Sequence, residues 1–411
     1  MFSKPKIKRE IYLDHAATTY CDPEVVKAML PYFTDIYGNP SSLYHKGREA
    51  NGVLNDSRRT VAKLINALPE NIIFTGGGSE SDNMAIYGVA RAHEHKGKHI
   101  ITTEIEHHAV LHPLEDLQKQ GWEVTYLKVD KQGFINTDDL VKAIRPETVL
   151  ISIMYANNEV GTIEPIAEIG REILKYRKEN NTPYPFFHSD ACQAAGYLNL
   201  DVEKLHVDLM TINGSKMYGP KGVGMLYVRR GVRLKPLIVG GTQERRLRAG
   251  TENVPAIVGF TKAFELAQQR IDSETKRVGD LTKYMWSELQ NKIPKLKLNG
   301  PELGDRRLPN NLNVTFIDVE GEAMLLYLDE YGIMCSTGSA CTSESLDPSH
   351  VLLAMGLPYE YSHGSLRFTF GHCNSKKDID YMMEYLPDII KQLREISPVN
   401  MGNVKHAKYK K

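Results

Sequence analysis

Strand-like segments alternate with helical segments through the first half of the chain. Four segments are predicted strands: residues 99–103, 123–129, 148–154 and 185–189. Helical spacing recurs between them, at 110–119 and at 166–178. This alternation predicts an α/β fold in which a mostly parallel sheet has helices on both faces. Ligands bind to such sheets at the carboxyl ends of the strands, so we expect functional residues there.

Three consecutive glycines follow an apolar segment at residues 72–74. The sequence is Thr75-Gly-Gly-Gly-Ser79, and a helical pattern continues from it to Ile86. Glycine lets backbone amides close around an anion, and the start of a helix adds the positive end of its dipole. The stretch is therefore a predicted phosphate cradle.

Asp190 and Lys216 also fall where predicted strands end. Asp190 follows the aromatic segment 185–189, and Lys216 lies in a turn between apolar segments at 207–212 and 223–228. A carboxylate can hold the ring nitrogen of pyridoxal phosphate, and a lysine that loses solvent has a lowered pKa and can form a Schiff base. Taken alone, a lysine in a turn is more often an ordinary solvated residue. The order of cradle, acid and lysine nevertheless predicts a pyridoxal-phosphate site.

The composition argues against nucleic acid or a membrane as the main partner. The chain has 411 residues, with 51 acidic and 51 basic side chains, so that no global field favours either. No apolar run approaches the roughly 18 residues of a membrane span. The five cysteines, an odd number without close pairing, indicate a reducing compartment. We therefore expect a cytoplasmic protein.

Two domains are expected because the sequence pattern changes after Gly250. The expected division is a large cofactor-binding domain, 16–265, a small α+β domain, 1–15 with 266–400, and a basic, disordered tail, 401–411. One long helix or two consecutive helices are predicted from Val254 to about residue 293, where they could connect the two domains. The small domain would carry the loop around Cys341.

Cys341 is flanked by small residues on both sides, in the sequence Ser339-Ala-Cys-Thr-Ser343. That context predicts an exposed, mobile thiol, which can take up an atom at a cofactor and carry it elsewhere. The other cysteines are expected to be small buried hydrophobic residues: Cys21, Cys192, Cys335 and Cys373.

Seven motifs occur in order along the chain: Thr75-Gly-Gly-Gly-Ser-Glu-Ser-Asp-Asn83, Glu106-His-His-Ala-Val110, Asn157-Asn-Glu-Val-Gly161, Asp190-Ala-Cys-Gln193, Lys216-Met-Tyr-Gly-Pro-Lys-Gly222, Arg248-Ala-Gly-Thr-Glu-Asn253 and Ser339-Ala-Cys-Thr-Ser343. With them, the chain resembles the cysteine desulfurases of the NifS/IscS type, within the aminotransferase class V group of fold-type I pyridoxal-phosphate enzymes. The similarity extends from residue 12 to residue 371. Any one motif could occur by chance, but all seven in family order hardly could.

The resemblance implies roles around the cofactor. Lys216 would bind pyridoxal phosphate as a Schiff base, and Asp190 would pair with its ring nitrogen. Gln193 would face the phenolic oxygen, and His107 would stack on the ring and transfer protons. The phosphate would be bound by the cradle of one subunit and by one residue of the other subunit of a homodimer: Gly77, Gly78 and Ser79, with Thr251 from the other subunit.

The resemblance also implies the substrate contacts and the reaction. Asn158, which also belongs to the cofactor site, and Arg367 would hold the carboxylate of L-cysteine, and the planar fork of arginine suits that group. The Cys341 thiolate would attack the substrate sulfur, leaving L-alanine and a persulfide. The sulfur would then pass to an acceptor for thiolation or to an iron–sulfur scaffold protein.

Two positions depart from the family pattern. Ser215 stands where the family commonly has histidine, and Asn213 stands where it often has serine; both positions normally bind the phosphate. A hydroxyl and an amide can still donate hydrogen bonds, but without the charge of an imidazolium. We expect a lower cofactor affinity and an unchanged chemical step.

Other interpretations stay open. An aminotransferase or a selenocysteine lyase would use Lys216 without a transfer cysteine, which the Cys341 loop argues against. A docking protein with a weakened cofactor site is a non-enzymatic alternative. His93, His95 and His99 could form a metal site, but their polar surroundings favour exposed surface histidines, and no metal is expected.

Overall fold

The computed structural model describes residues 9–338 and 348–396; Cys341 and the tail at 401–411 lie outside them. The described part contains thirteen α-helices: α1 (Pro23–Met29), α2 (Pro31–Thr34), α3 (His45–Leu64), α4 (Gly78–His93), α5 (His108–Lys119), α6 (Thr137–Ala143), α7 (Ile166–Glu179), α8 (Val202–Leu205), α9 (Val254–Lys292), α10 (Gly321–Glu330), α11 (His350–Ala354), α12 (Tyr359–His363) and α13 (Lys376–Ile396). It also contains twelve strands: β1 (Ile11–Tyr12), β2 (Ile72–Thr75), β3 (His99–Thr103), β4 (Glu123–Leu127), β5 (Thr148–Ser152), β6 (Phe186–Asp190), β7 (Leu209–Asn213), β8 (Gly224–Val228), β9 (Leu296–Asn299), β10 (Asn311–Phe316), β11 (Ile333–Met334) and β12 (Ser365–Thr369). None of these helices is both long and apolar enough to cross a membrane.

Seven strands form the main sheet in the order β2-β8-β7-β6-β5-β3-β4. The pairs from β7 through to β4 are parallel, whereas β8 is antiparallel to both β7 and β2. The prediction of a mostly parallel sheet in an α/β fold is confirmed. The four predicted strands correspond to β3, β4, β5 and β6, with small differences at their ends.

Helices cover both faces of this sheet, so its inner strands are buried throughout. Every residue of β3, β5 and β6 is buried. Because successive side chains of a strand point to opposite faces, Leu150 packs with α4 and α5, whereas Ile151 packs with α3, α7 and α9. The continuous apolar runs in the sequence follow from this burial on two sides.

A second apolar core surrounds a three-stranded antiparallel sheet of order β12-β10-β9. Ile11 and Leu13 join this core, together with residues of α10 and α13. Helix α9 connects it to the main sheet, since Phe260 packs in the first core and Met285 in the second. The predicted long helix is confirmed, and the predicted domain limits stay a prediction.

Three strand ends meet at one edge of the main sheet. β2 ends just before α4, β6 ends at Asp190, and β7 ends at Asn213 before a 3₁₀ turn that carries Lys216. β8 approaches the glycine turn closely, because a Cβ atom at Gly224 would lie 2.9 Å from the Cα atom of Gly77. Only glycine fits at position 224 without displacing the turn.

Candidate active site

A cavity of about 390 Å³ opens at this edge of the sheet. It is lined by nine of the residues predicted for cofactor or substrate binding: Gly78, Ser79, His107, Asn158, Asp190, Gln193, Asn213, Lys216 and Arg367. Ala16 and Ala17, from the start of the described chain, line it as well. Residues predicted separately from distant segments of the sequence therefore converge in one place.

The amine of Lys216 is held by two backbone carbonyl groups that line the cavity. Its Nζ atom donates hydrogen bonds to the carbonyl oxygens of Ala16 (2.8 Å) and Ala17 (2.6 Å). Gln193 contacts the first of these carbonyls too, through Nε2 at 2.9 Å. A primary amine fixed at a cavity wall can form a Schiff base with an aldehyde that enters the cavity.

Asp190 is 7% exposed at the end of β6. Its Oδ1 atom accepts a hydrogen bond from the backbone N–H of Cys192 (2.9 Å), which fixes the orientation of the carboxylate. A carboxylate in such a place can hold a protonated ring nitrogen through a charge-assisted hydrogen bond.

The glycine turn before α4 forms a wall made of backbone. Gly77 has a φ of +147°, which favours glycine. A Cβ atom at Gly78 would lie 3.0 Å from the Sγ atom of Cys192. Glu80 supports the turn from outside, because its Oε2 accepts a hydrogen bond from the turn's backbone and its Oε1 lies 2.9 Å from Arg248 Nε. The first amides of α4 and the hydroxyl of Ser79 are placed to bind an anion.

His107 caps the N-terminus of α5. Its Nδ1 atom accepts a hydrogen bond from the backbone N–H of Ala109 (3.0 Å), so the neutral ring carries its proton on Nε2. Burial lowers the pKa of His107 below its usual value, and the charge of Asp190 acts in the opposite direction. A neutral imidazole beside the cavity can accept a proton at one step and return it at another.

His108, the next residue, lies at the edge of the cavity. Its ring centroid is 4.8 Å from the centroids of both His112 and His350. Burial lowers the pKa of His108 to about 4. His107 and His108 both line the cavity, so the assignment of proton transfer to His107 stays a prediction.

A layer of buried acids beneath the cavity was missed in the sequence. Asp82 on α4 and Glu106 before α5 are almost fully buried, and both line the cavity. Burial raises the pKa of Glu106 to about 8, and burial with the charge of Asp190 raises the pKa of Asp82. His188 Nε2 lies 3.6 Å from Asp82 Oδ1, and burial lowers the pKa of His188 to about 4. Asp82 in α4 and His188 in β6 each interrupt an apolar pattern, but no local pattern indicates that the acids become buried here.

Arg367 enters the cavity from β12 and is 2% exposed. Its Nη1 atom donates to the carbonyl oxygens of Asn158 (3.1 Å) and Gly338 (3.3 Å), and Nη2 lies 2.6 Å from Asp14 Oδ1. The Nε atom has no hydrogen-bond partner among the described residues. A buried donor without a partner is costly, and the carboxylate of a bound substrate can accept from it.

Four predicted site residues stand apart from this arrangement. Gly77, Ser215 and Thr251 are not among the described residues that line the cavity. The carbonyl of Ser215 accepts hydrogen bonds from the backbone and the hydroxyl of Thr19, and Thr251 is exposed. Cys341 lies outside the described residues. Their predicted roles stay predictions.

The expectation of exposed surface histidines was wrong for two residues. His93 bonds to Tyr184 and His99 bonds to Thr148, and both rings are buried because they pack between secondary-structure elements. Within residues 9–338 and 348–396, no group of three or more histidine, cysteine or acidic side chains is arranged to hold a metal ion.

The cysteine expectations divide in the same way. Burial was correctly predicted for Cys192 and Cys335. It was wrong for Cys373, which is exposed at the turn after β12, and Cys21 is only partly buried. Cys373 follows the end of β12, and Cys21 lies in the connection just before α1.

The model of the family described as aminotransferase class V matches residues 11–382. This chain belongs to the aminotransferase class V family. Enzymes of this family depend on pyridoxal phosphate, and that is the cofactor of this chain.

Curated relatives match nearly the whole chain. A protein named cysteine desulfurase IscS from Clostridium botulinum (strain Hall) is 51% identical over 393 residues, which cover 96% of this chain and 97% of that protein. Cysteine desulfurase IscS from Dictyoglomus turgidum is 52% identical over 392 residues, covering 95% and 97%.

Solved structures agree with this assignment. A NifS-like protein superposes with a TM-score of 0.87 at 36% identity, covering 94% of this chain and all of that one (100%). DndA from Streptomyces lividans superposes with a TM-score of 0.72 at 36% identity, covering 87% and 99%. The recognised resemblance and the fold class are confirmed.

The cavity residues fit pyridoxal phosphate chemically. A Cβ atom at Gly78 would crowd the sulfur of Cys192 at 3.0 Å, so glycine keeps this wall as backbone, which suits a phosphate. Asp190 suits the ring nitrogen, and the amine of Lys216 suits the aldehyde. Arg367 keeps a buried donor for a substrate carboxylate. Each group of the cofactor and substrate therefore has a matching residue in the same cavity.

Proposed function

We propose that this chain is a cysteine desulfurase that forms L-alanine from L-cysteine and retains the sulfur as a persulfide on Cys341. One observation carries the proposal: Gly338, the last described residue before the Cys341 segment, and His350, the third described residue after it, both line the cavity that contains Lys216 and Asp190. A thiol in that segment is thereby tethered at the place where the substrate binds. The relatives named cysteine desulfurase support this function.

Residues at the strand ends hold the cofactor. Gly77, Gly78 and Ser79 bind the phosphate, Asp190 binds the ring nitrogen, and Lys216 supplies the amine for the Schiff base. Bound pyridoxal phosphate supplies an electron sink that weakens the bonds near the α-carbon of the substrate. The hydrogen bond from the Cys192 amide keeps the Asp190 carboxylate oriented for this task.

Arg367 and Asn158 hold the substrate carboxylate. The guanidinium is already fixed by Asp14 and by the carbonyl of Asn158, so little side-chain freedom is lost when the substrate binds. The buried Nε–H remains for the carboxylate. This contact orients L-cysteine with its sulfur free for attack.

His107 and Cys341 carry out the transfer. His107 remains neutral because burial lowers its pKa, and it accepts and returns protons at the substrate. The Cys341 thiolate attacks the substrate sulfur, an S–S bond forms and the C–S bond breaks, and protonation of the carbon fragment leads to alanine. Two transfers, first to Cys341 and then to an acceptor, replace a single difficult release of sulfide.

A homodimer completes the site in this proposal. Thr251 is exposed on its own chain and reaches the phosphate of the other subunit. Large apolar side chains are exposed close together in sequence: Leu30, Phe33, Tyr37, Leu43 and Tyr44. Such a surface is typical of a subunit interface.

The sulfur acceptor and the compartment are also part of the proposal. The persulfide on Cys341 would pass its sulfur to a second protein, either a carrier for thiolation or an iron–sulfur scaffold. A transfer thiol must stay reduced between cycles, and the reducing cytoplasm meets that need.

The test is a mass spectrum of the intact protein after brief incubation with pyridoxal phosphate and L-cysteine, without reductant, followed by peptide mapping. A gain of one or more sulfur atoms on the peptide with Cys341 supports the proposal. Cys341→Ala should keep the absorbance of the bound cofactor and lose the added sulfur and the sulfide release. If that variant still releases sulfide, the chain is a lyase or another class V enzyme instead.

A further inference from the structure

Glu159 lies between the two described ends of the segment that carries Cys341. It is 4% exposed and lines the cavity. Its Oε2 atom accepts a hydrogen bond from Ser349 Oγ (2.5 Å) at one end. At the other end, a Cβ atom at Gly338 would lie 3.0 Å from the same Oε2 atom. One carboxylate oxygen therefore lies close to Gly338, just before the segment, and accepts a hydrogen bond from Ser349, just after it.

The backbone of Glu159 is itself fixed. Its N–H donates to Asn157 Oδ1 (2.9 Å), and its carbonyl oxygen accepts from Asn311 Nδ2 (3.2 Å) and Asn313 Nδ2 (3.0 Å). These partners join the loop after β5 to the strand β10. The carboxylate thus projects from a rigid support that spans both apolar cores.

Further contacts fix the described residues on either side of the segment. Gly338 has a φ of +101° and its carbonyl accepts from Arg367, so glycine permits both the conformation and the approach to Glu159. Ser349 also caps α11 by accepting from the N–H of Leu352 (3.2 Å). The Nε2 atom of the next residue, His350, lies 2.9 Å from the carbonyl oxygen of Glu106.

We propose that Glu159 is a positioning residue for Cys341, acting through its hydrogen bond with Ser349 and its close contact with Gly338. This inference rests on the proposed role of Cys341 as the sulfur acceptor. The carboxylate would hold both ends of the segment at the cavity, and so it would raise the frequency with which the thiol meets the bound substrate. Misplacement of a reacting group by about 1 Å can cost on the order of 100-fold in rate.

A competing role for Glu159 is electrostatic. Its charge raises the pKa of His107, although burial of that ring is the larger influence and lowers it. Glu159→Gln separates the two roles, because the amide oxygen can still accept from Ser349 while the charge is lost. Glu159→Ala removes both.

The experiment uses cofactor-loaded protein and four variants of the contact: Glu159→Ala, Glu159→Gln, Ser349→Ala and Ser349→Thr. Glu159→Ala and Ser349→Ala should lower kcat for alanine formation by about tenfold or more, with the KM for L-cysteine and the cofactor absorbance unchanged. Glu159→Gln and Ser349→Thr keep the acceptor and the hydroxyl, so they should stay within about threefold of the wild type. Ser362→Ala is the matched control, since that serine is equally buried (4%) and bonds within α12 outside the cavity.

Limited proteolysis supplies a second readout that does not depend on activity. Loss of a hydrogen bond of about 1.4 kcal/mol should raise the rate of cleavage between residues 338 and 349 by about tenfold in Glu159→Ala and Ser349→Ala. Unchanged cleavage and unchanged kcat in both variants would overturn the proposal. So would a Glu159→Gln variant as slow as Glu159→Ala with a shifted pH profile, because the charge would then be the cause.

Two controls keep the outcomes distinguishable. If Glu159→Ala fails to fold, shown by a lost thermal transition, Ser349→Ala with its Ser349→Thr rescue decides the question. Cys341→Ala is measured in parallel. If that variant forms alanine at the normal rate, the proposed function fails; if it is inactive while the Ser349 and Glu159 variants are normal, only the positioning role fails.

Discussion

Arg367 and Asp14 form an ion pair although they are far apart in sequence. The Nη2 atom of Arg367 lies 2.6 Å from the Oδ1 atom of Asp14. The pair holds the guanidinium so that two of its nitrogens bind protein groups, while the buried Nε has no partner among the described residues. A planar fork held in this way is already prepared for a carboxylate. Lysine could supply the charge at this position but not the geometry.

Arg367→Lys should therefore raise the KM for L-cysteine by about tenfold or more, with little change in the absorbance of the bound cofactor. Arg307→Lys is a matched control, since Arg307 is equally buried (2%) but donates to the carbonyl oxygens of Asn299 and Pro301 outside the cavity. That variant should lose stability and keep its KM. Steady-state kinetics checks both, and an unchanged KM in Arg367→Lys would remove Arg367 from substrate binding.

The pKa of Glu106 makes stability depend on pH. Burial raises this pKa from 4.5 to about 8, so between these values the folded protein retains a proton that the unfolded chain has released. The contribution of Glu106 to stability is present below about pH 4.5 and is lost as the pH rises through about 8, with a slope of up to about 1.4 kcal/mol per pH unit. Glu106→Gln removes this titration. The free energy of unfolding of both proteins is measured in urea from pH 5 to 8. As the pH rises, the free energy of unfolding of the variant should increase relative to that of the wild type. If the two free energies change in parallel with pH, the assignment is contradicted.

The buried pair of Arg58 and Glu244 supports the strand that leads into the phosphate cradle. Glu244 accepts from both terminal nitrogens of Arg58 (2.7 and 2.6 Å) and from the backbone N–H of Phe74 (3.0 Å). Glu244→Ala leaves a buried guanidinium without its carboxylate and should lower the free energy of unfolding by about 3–5 kcal/mol. Asp56→Ala, which breaks the exposed pair with Arg59, should cost less than about 1 kcal/mol. Equal losses in the two variants would exclude the buried pair as a support.

The strand ends were predictable from the sequence because local rules place them. Apolar runs bounded by turns located Asp190 and Lys216, and the three glycines located the wall at Gly78. The layer beneath them was not predictable, since Asp82 and Glu106 become buried acids only when α4 and α5 pack on the sheet. From the local sequence alone, an acidic side chain is expected to be exposed to solvent.

Contacts between residues that are distant in sequence were also not predictable. Asp14 and Glu159 meet their partners Arg367 and Ser349 across large separations in sequence. No spacing rule relates such positions, and the pairing follows from β12 and α11 lying beside the carboxyl edge of the main sheet. The wrong expectation for His93 has this cause too, because burial by Tyr184 is not a property of the neighbouring sequence.

A mixture of two impaired variants tests whether Thr251 serves the other subunit. Thr251→Ala removes a hydrogen bond to a charged phosphate and should weaken cofactor affinity by about 10-fold to 150-fold, and Lys216→Ala cannot form the Schiff base. If Thr251 acts across the dimer, the mixed dimer regains one intact site, formed by Lys216 of one chain and Thr251 of the other. At limiting pyridoxal phosphate, the mixed dimer should recover up to about half of the wild-type activity, because only one of its two sites is restored. An unfractionated 1:1 refolding mixture should recover up to about a quarter, because about half of its dimers are mixed. Thr242→Ala, at an exposed threonine in the same connection, should keep its affinity. Mixed dimers no better than the average of the two parents would mean that Thr251 acts within its own chain or not at all.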